Sequence, residues 1–322
     1  DYRSGNNWDI YAQTFDAAGN RLWTNDLAVA ASSTDEYSPT IVIDSEDNIL
    51  IAWVENSLAG EKIYLGKFDL TGTTTWPTAK NIISAANSVY APAIALDNED
   101  NIYLAYTAYE GGVENVYLAK FSSSTNLLWQ TQANRQATTS NQYDPAITLG
   151  GGYVYVSWTD DRNGNPDIYA QKFNSNGIPQ WSEDQRININ LGTSIQQNSS
   201  LLVNSSNENF AVWEDARNED FAIYAAKFYD PGTVVAVANV PLIVTGTKKL
   251  SLTPVIYEYQ EYPTTDANGY VTLSVEWDNP GYTIETNPAS TSLEVIFTNP
   301  GGEDGKIPIE PGDYKTVYVY VE

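Results

Sequence analysis

Short apolar stretches, separated by turns rich in Asp, Asn, Gly and Ser, fill residues 1–231. Typical stretches are ILIAWVE (49–55), IYLAYTA (102–108) and YVYVSWT (153–159). They are rich in β-branched and aromatic residues, which favour strands. No segment shows a sustained period of 3.6 residues, so amphipathic helices are not expected. The pattern predicts an all-β chain.

The predicted strands recur with a nearly constant period. The strings IYAQTF, IYLGKF, VYLAKF, IYAQKF and IYAAKF end in Phe residues that lie 53, 53, 52 and 55 residues apart, namely Phe15, Phe68, Phe121, Phe173 and Phe228. A tryptophan follows each of the first four strings at a fixed distance. Each repeat contains four short strands, and aromatic rows on successive four-stranded sheets pack face to face in β-propellers. The sequence therefore predicts a five-bladed-type β-propeller over residues 1–231.

The repeat stops near Pro231, and further predicted strands follow, such as YVTLSVEW and TSLEVIFT. Roughly seven short strands in about 90 residues are typical of an immunoglobulin-like sandwich. We therefore predict a separate C-terminal β-sandwich domain over residues 232–322.

The first blade is expected to be incomplete. Asp1-Tyr2-Arg3 aligns with Asp160-Asp161-Arg162, which directly follows the second strand of its repeat. The first blade would then hold only its third and fourth strands, and half a blade exposes an unpaired edge. Upstream residues, the C-terminal part of the chain or a neighbouring subunit are the three candidates to complete it.

Charge and composition exclude several classes of function. The formal net charge is −25, which opposes binding to nucleic acids or to anionic membranes. The chain has no His, Cys or Met, so His-based or Cys-based catalytic triads and zinc or iron–sulfur sites lack their groups. The absence of the easily oxidised Cys and Met suits an extracellular or cell-surface protein. No apolar run is long enough to insert into a membrane.

The string WTDDRNGNPDIYAQKFNSNGIPQW (158–181) resembles the repeat of secreted and cell-surface bacterial β-propeller proteins, in which W-x-D-x-R-x-G-x-x-D-I-Y-A-Q recurs in successive blades. Residues 1–23 match this repeat almost as well, whereas residues 49–76 and 102–129 keep only its framework. The resemblance implies an extracellular location and a binding or scaffolding role, and it implies no catalytic residues.

Residues 161–167 are a candidate calcium loop because oxygen-bearing side chains alternate along them. The four candidate ligands are Asp161, Asn163, Asn165 and Asp167. The loop lacks the distal glutamate of an EF-hand. The interpretation we favour is a polar hairpin in which Arg162 pairs with nearby carboxylates, so no cofactor is expected apart from loosely bound calcium.

Other candidate sites involve carbohydrate. Aromatic side chains stack on sugars, and Trp8, Tyr90, Tyr109 and Tyr143 are the aromatics that the repeat does not assign to the core. Asn198 and Asn204 begin Asn-x-Ser sequons for glycosylation. Paired carboxylates could hydrolyse a glycosidic bond. Here, however, the acidic residues lie mostly in turns and recur in register, which favours a structural role.

These observations predict a non-enzymatic extracellular structural protein. We expect a subunit of a surface filament or layer, with copies of the chain completing one another by strand exchange. The alternative is a carbohydrate-binding module of a larger adhesin, with surface glycans as its partners.

Overall fold

A computed structural model of the chain describes residues 1–228 except 4, 59, 85–87, 136–138, 189–192 and 219. Beyond residue 228 it describes six strands. The chain divides into two units, Asp1–Asn188 with Thr193–Phe228, and Ile189–Gly192 with Tyr229–Glu322. The predicted boundary between residues 231 and 232 is close to this division, and it stays a prediction.

The first unit consists of antiparallel strands in the order of the chain. They are β1 (Ile10–Ala12), β2 (Leu27–Ala30), β3 (Asp35–Ile43), β4 (Ile49–Ser57), β5 (Gly60–Phe68), β6 (Lys80–Ser84), β7 (Val89–Leu96), β8 (Ile102–Glu110), β9 (Val113–Phe121), β10 (Leu127–Gln132), β11 (Gln142–Gly150), β12 (Tyr153–Asp160), β13 (Asp167–Phe173), β14 (Gln185–Arg186), β15 (Gln196–Val203), β16 (Asn209–Asn218) and β17 (Asp220–Phe228).

Each sheet of the first unit is built from strands that follow one another along the chain. Strands β3–β6, β7–β10 and β11–β14 form three four-stranded sheets, β15–β17 form a three-stranded sheet, and β1 pairs with β2. The register repeats with the sequence, because Trp53 pairs with Tyr64 and Trp158 pairs with Tyr169 at equivalent places. The predicted strand order within a repeat is therefore confirmed for these sheets.

The first strands of neighbouring sheets pack against one another, β3 on β7, β7 on β11 and β11 on β15. Each of these strands lies at the edge of its own sheet, as the inner strands of propeller blades do. Between blades, buried side chains such as Leu65 and Phe121 belong to one apolar cluster. The hydrophobic core therefore lies between successive sheets.

The described residues are all-β, with no helix among them, as the sequence predicts. In that part of the chain, no helix that could cross a membrane is found. The count of five blades is not established, because the described strands comprise three complete sheets, one of three strands and one of two.

The second unit contains β18 (Leu242–Lys249), β19 (Ile256–Glu261), β20 (Asp278–Thr286), β21 (Val295–Asn299), β22 (Lys306–Ile309) and β23 (Tyr318–Val321). They form a four-stranded sheet in the order β19-β18-β20-β22, and a pair, β21-β23. The unit is rich in strands, as expected, and its assignment to the immunoglobulin-like class stays a prediction.

Candidate functional site

A β-bulge interrupts each inner strand near its start. The pairing register shifts after Tyr37, Tyr90, Tyr143 and Gln197. The next residue has a positive φ in every case: Ser38 at 51°, Ala91 at 48°, Asp144 at 50° and Asn198 at 55°. This conformation is unfavourable for most residues, and bulges redirect side chains at the rims of barrels and beside active sites.

Asp144 is the acidic residue among these four equivalent positions, which otherwise hold Ser, Ala and Asn. Its side chain is half-buried. Burial and the nearby Glu114 carboxylate both raise its pKa. Among the described residues, its carboxyl group has no ion-pair partner. The surroundings of Asp144 therefore raise its pKa above the ordinary value.

Glu114 comes from the start of β9 in the preceding blade. Its backbone N–H donates to Asn141 Oδ1 at 3.2 Å. This hydrogen bond links Glu114 to the next blade, because Asn141 directly precedes β11. Its Oε1 accepts a hydrogen bond from the hydroxyl group of Tyr90. Burial and this glutamate raise the pKa of Tyr90, so the tyrosine stays protonated and keeps donating.

Asp161 follows β12 and approaches the same group of side chains. The Tyr143 hydroxyl lies 3.5 Å from Asp161 Oδ1. Burial and Asp160 raise the pKa of Asp161, and Glu114 contributes in the same direction. Burial and the adjacent carboxylates of Asp161 and Asp144 raise the pKa of Tyr143 to about 12. Glu114, Asp144, Asp161, Tyr90 and Tyr143 are hereafter called the axial cluster.

The axial cluster combines carboxyl groups in unlike environments. Burial and Glu114 raise the pKa of Asp144, whereas Glu114 itself accepts a hydrogen bond from the Tyr90 hydroxyl. Titratable groups with unlike surroundings can take the separate roles of acid and base. Within the described residues, no group of three or more Asp or Glu side chains is placed to hold a metal ion. The arrangement is suited to proton transfer.

The candidate calcium loop is internally hydrogen bonded. Asn163 Nδ2 donates to Asp167 Oδ2 at 2.9 Å, and Asn165 Nδ2 donates to the Ser194 carbonyl at 3.0 Å. Asp167 Oδ1 lies 2.6 Å from Arg186. Asp161 faces Tyr143 instead. The structure therefore gives all four side chains protein partners, and calcium binding stays a prediction.

Arg162 lies between two buried carboxylates. Its Nη2 is 2.6 Å from Asp160 Oδ2 and 3.0 Å from Asp184 Oδ2, and its guanidinium stacks on Tyr169 at 4.2 Å. Arg3 repeats this arrangement with Asp1, Asp26 and Tyr11. The D-x-R motif therefore forms ion pairs and a stacking contact within a blade, in keeping with the polar hairpin favoured above.

The sequon asparagines lie in and beside β15. Asn198 Nδ2 donates to Glu214 Oε2 at 3.0 Å from an exposed position. Asn204 accepts hydrogen bonds from the backbone N–H groups of Ser206 and Glu208 and so closes a turn. Their glycosylation stays a prediction.

The four unassigned aromatics have different surroundings. Tyr90 and Tyr143 belong to the axial cluster and recur with Tyr37 every 53 residues, so they do follow the repeat. Tyr109 and Trp8 are exposed, and Trp8 lines a cleft.

The sequence does carry a signal for Asp144, because it is an acid at a repeat position where the other copies are uncharged.

No protein-family model and no curated protein matches the chain. Solved structures do resemble it. A protein of unknown function from Dyadobacter fermentans DSM 18053 gives a TM-score of 0.50 at 12% identity, over 63% of this chain and 68% of that one. The endo-arabinase from Bacteroides thetaiotaomicron VPI-5482 gives 0.46 at 12% identity, over 71% and 88%. A thermostable family-43 glycoside hydrolase gives 0.43 at 12% identity, over 62% and 73%. At these identities the likeness concerns the fold alone.

These comparisons correct two predictions. Several of the similar structures are named as glycoside hydrolases or arabinases, and none of these names points to a filament subunit. The prediction of a structural filament subunit is therefore wrong, and so is the prediction of a non-enzymatic protein. An adhesion role is not supported either. The sequence analysis placed the acidic residues mostly in turns, whereas Asp144 lies on an inner strand.

Proposed function

We propose that this chain hydrolyses glycosidic bonds in a neutral polysaccharide and that the axial cluster is its active site. The observation that carries the proposal is Asp144, an acid on a bulge of an inner strand, half-buried and without an ion-pair partner in the described part of the chain. Glycoside hydrolysis needs one carboxyl group that donates a proton and a second that acts as base or nucleophile.

The surroundings of the carboxyl groups suggest their roles. Asp144 acts as the general acid, because burial and Glu114 favour the protonated form that must reach the leaving oxygen. Glu114 acts as the base or nucleophile, and the Tyr90 hydroxyl orients it. Tyr143 and Asp161 form the adjoining wall of the site.

The charge of the protein limits the class of substrate. The net charge is −25, and the cluster adds three carboxyl groups close together. A uronic acid or sulfated glycan would be repelled, whereas neutral sugar hydroxyls can donate to carboxylates. We therefore expect a polymer of neutral pentoses or hexoses.

The test is an activity screen of the purified full chain on arabinan, xylan, galactan and glucan, with their hexasaccharides as defined substrates. Asp144→Asn is expected to lower kcat by at least about 100-fold, the usual contribution of a general acid. Asparagine tolerates positive φ, so this variant should fold normally. Glu114→Gln should be similarly impaired.

Glu61→Gln is the matched control. Glu61 occupies the position equivalent to Glu114 one blade earlier and accepts a hydrogen bond from Tyr37 as Glu114 does from Tyr90. Because Glu61 also acts electrostatically on Tyr90, the Glu61→Gln variant is expected to keep far more activity than Glu114→Gln. Wild-type protein that cleaves none of the polymers, or D144N protein with wild-type activity, would refute the proposal.

We also infer the finer features that the sequence suggests. These are a five-bladed-type ring followed by an immunoglobulin-like sandwich, and an extracellular location supported by the absence of Cys and Met. Association with copies of the chain and with surface glycans, and loose calcium binding at residues 161–167, stay predictions.

A further inference from the structure

The bulge at Asp144 leaves its backbone N–H outside the pairing of β11 with β12. The paired register runs to Tyr143 and resumes at Ala146, so Asp144 and Pro145 have no partner residue on β12. The φ of Asp144 is 50°, a conformation that persists only where its surroundings hold it. An N–H group withdrawn from water without a partner is costly, so an acceptor from outside this strand pair is expected.

Thr107, on β8 of the preceding blade, supplies that acceptor. Its Oγ1 accepts a hydrogen bond from the Asp144 N–H, with 3.2 Å between the oxygen and the nitrogen. Thr107 is fully buried, so packing holds its side chain in place. The hydrogen bond therefore fixes the backbone of the bulge from which the Asp144 carboxyl group extends.

A second hydrogen bond crosses the same junction between blades in the opposite direction. The Glu114 N–H of the preceding blade donates to Asn141 Oδ1 at 3.2 Å. Glu114 and Asp144 thus each have their backbone N–H bound by a side chain from the blade of the other. Glycoside hydrolysis depends on the separation of two carboxyl groups, and these two hydrogen bonds hold the backbone at both.

Two other junctions lack the hydrogen bond to the bulge. Val54 takes the place of Thr107 one blade earlier, and it has no hydroxyl group to accept from Ala91. Thr159 takes that place one blade later, but its buried Oγ1 has no hydrogen-bond partner among the described residues. Of these three junctions, the one that carries the hydrogen bond is the one whose bulge residue is an acid.

We propose that Thr107 is the positioning residue for Asp144 and holds this general acid at a fixed distance from Glu114 across the junction of the two blades. The inference rests on the proposed function, which gives Asp144 the role of general acid. Loss of the Thr107 hydroxyl would let the bulge relax and move the carboxyl group, and a displacement of about 1 Å can cost about 100-fold in rate. Because Thr107 is fully buried, it does not itself contact a substrate.

The kinetic test compares Thr107→Val and Thr107→Ser with the wild type on the hexasaccharide that the wild type cleaves. T107V should lower kcat about 10- to 100-fold and leave KM within about twofold, because the change displaces the acid without removing a contact to the substrate. T107S keeps the hydroxyl group and should restore kcat to within about threefold of the wild-type value.

Thr159→Val is the matched control. It removes an equally buried hydroxyl group from the equivalent place in the next blade, where that group has no hydrogen-bond partner in the described part of the chain. T159V should keep the wild-type kcat. A loss of kcat as large as that of T107V would show a general effect of removing a buried hydroxyl group.

Amide hydrogen exchange of Asp144 reads the hydrogen bond without reference to activity. It is measured by NMR on the full chain with isotope-labelled aspartate. The Asp144 N–H should exchange at least about tenfold faster in T107V than in the wild type, because its acceptor is gone. T107S and T159V should exchange at the wild-type rate.

The outcomes separate this inference from the proposed function. A wild-type kcat in T107V, an equal loss of kcat in T159V, or equal exchange of the Asp144 N–H in all variants would overturn the inference. If the wild type cleaves no polymer, the proposed function fails. Faster exchange in T107V would then still support the hold of Thr107 on Asp144, whereas equal exchange would overturn that as well.

Discussion

The indole N–H of Trp158 donates a 2.8 Å hydrogen bond to Asp160 Oδ2, and in the next blade Trp213 donates to Asp215 at 3.0 Å. Both carboxylates are fully buried, and each also binds an arginine two residues later. This relationship explains the spacing of the W-x-D-x-R motif. Side chains two residues apart lie on the same face of an extended strand, so they can reach one another.

Removing the indole N–H of Trp158 should destabilise the protein. Trp158→Phe leaves a buried Asp160 oxygen short of a donor, which costs about 1–2 kcal/mol beyond the loss of packing. Trp53→Phe is the control, because Trp53 is equally buried and its Nε1 has no hydrogen-bond partner among the described residues. Urea denaturation should show a larger loss for W158F; equal losses would contradict the role of this hydrogen bond.

Arg162 should matter more than its counterpart Arg3. The Arg162 side chain is about 10% exposed and that of Arg3 about 44%, although both bridge two aspartates and stack on a tyrosine. Arg162→Lys should cost about 1–3 kcal/mol of unfolding free energy, because lysine lacks the planar fork and the stacking face. Arg3→Lys should cost less than about 1 kcal/mol because solvent screens its ion pairs. The reverse order in thermal denaturation would refute this assignment.

Gly150 allows the inner strands of two blades to approach closely. A Cβ atom at Gly150 would lie 2.3 Å from Val203 Cγ1, well inside van der Waals contact. Gly150→Ala should therefore destabilise the protein by about 1–3 kcal/mol through overpacking. Val203→Ala in the same chain should restore part of the loss, because it removes the clashing methyl groups. A double mutant with strictly additive losses would argue against this contact.

Stability should fall in acid partly through Asp44. Burial opposes ionisation of Asp44, but Lys67 Nζ at 2.6 Å and hydrogen bonds from Asn48 hold its pKa below the ordinary value of 3.8. A lowered folded-state pKa stabilises the protein above the unfolded value, and this stabilisation disappears as the pH falls through the folded value.

The difference in urea midpoint between the wild type and Asp44→Asn should therefore be largest at about pH 6 and shrink below about pH 4. Asp47→Asn, in the same turn, controls for removal of a surface charge. A difference that stays constant with pH would show that Asp44 contributes through something other than its ionised carboxylate.

The sequence by itself determined the strands and their repetition. Phe68, Phe121 and Phe173 recur because each of the three four-stranded sheets of the first unit buries the same side chain. Short stretches of β-branched and aromatic residues favour the strands. The pairing of strands within a sheet followed as well, because short turns join neighbouring strands. The repeat pattern placed most acidic residues in turns and did not single out Asp144, the acid at a bulge position where the other copies are uncharged.

The tertiary structure alone brought Glu114, Asp144 and Asp161 together. They belong to three separate stretches of two blades, and each blade's position depends on how the inner strands pack around the centre. The positive φ of Asp144 arises from a bulge in strand pairing, which a local pattern of hydrophobic residues does not encode. A repeat specifies the blade, whereas the grouping of these carboxylates depends on long-range packing between blades.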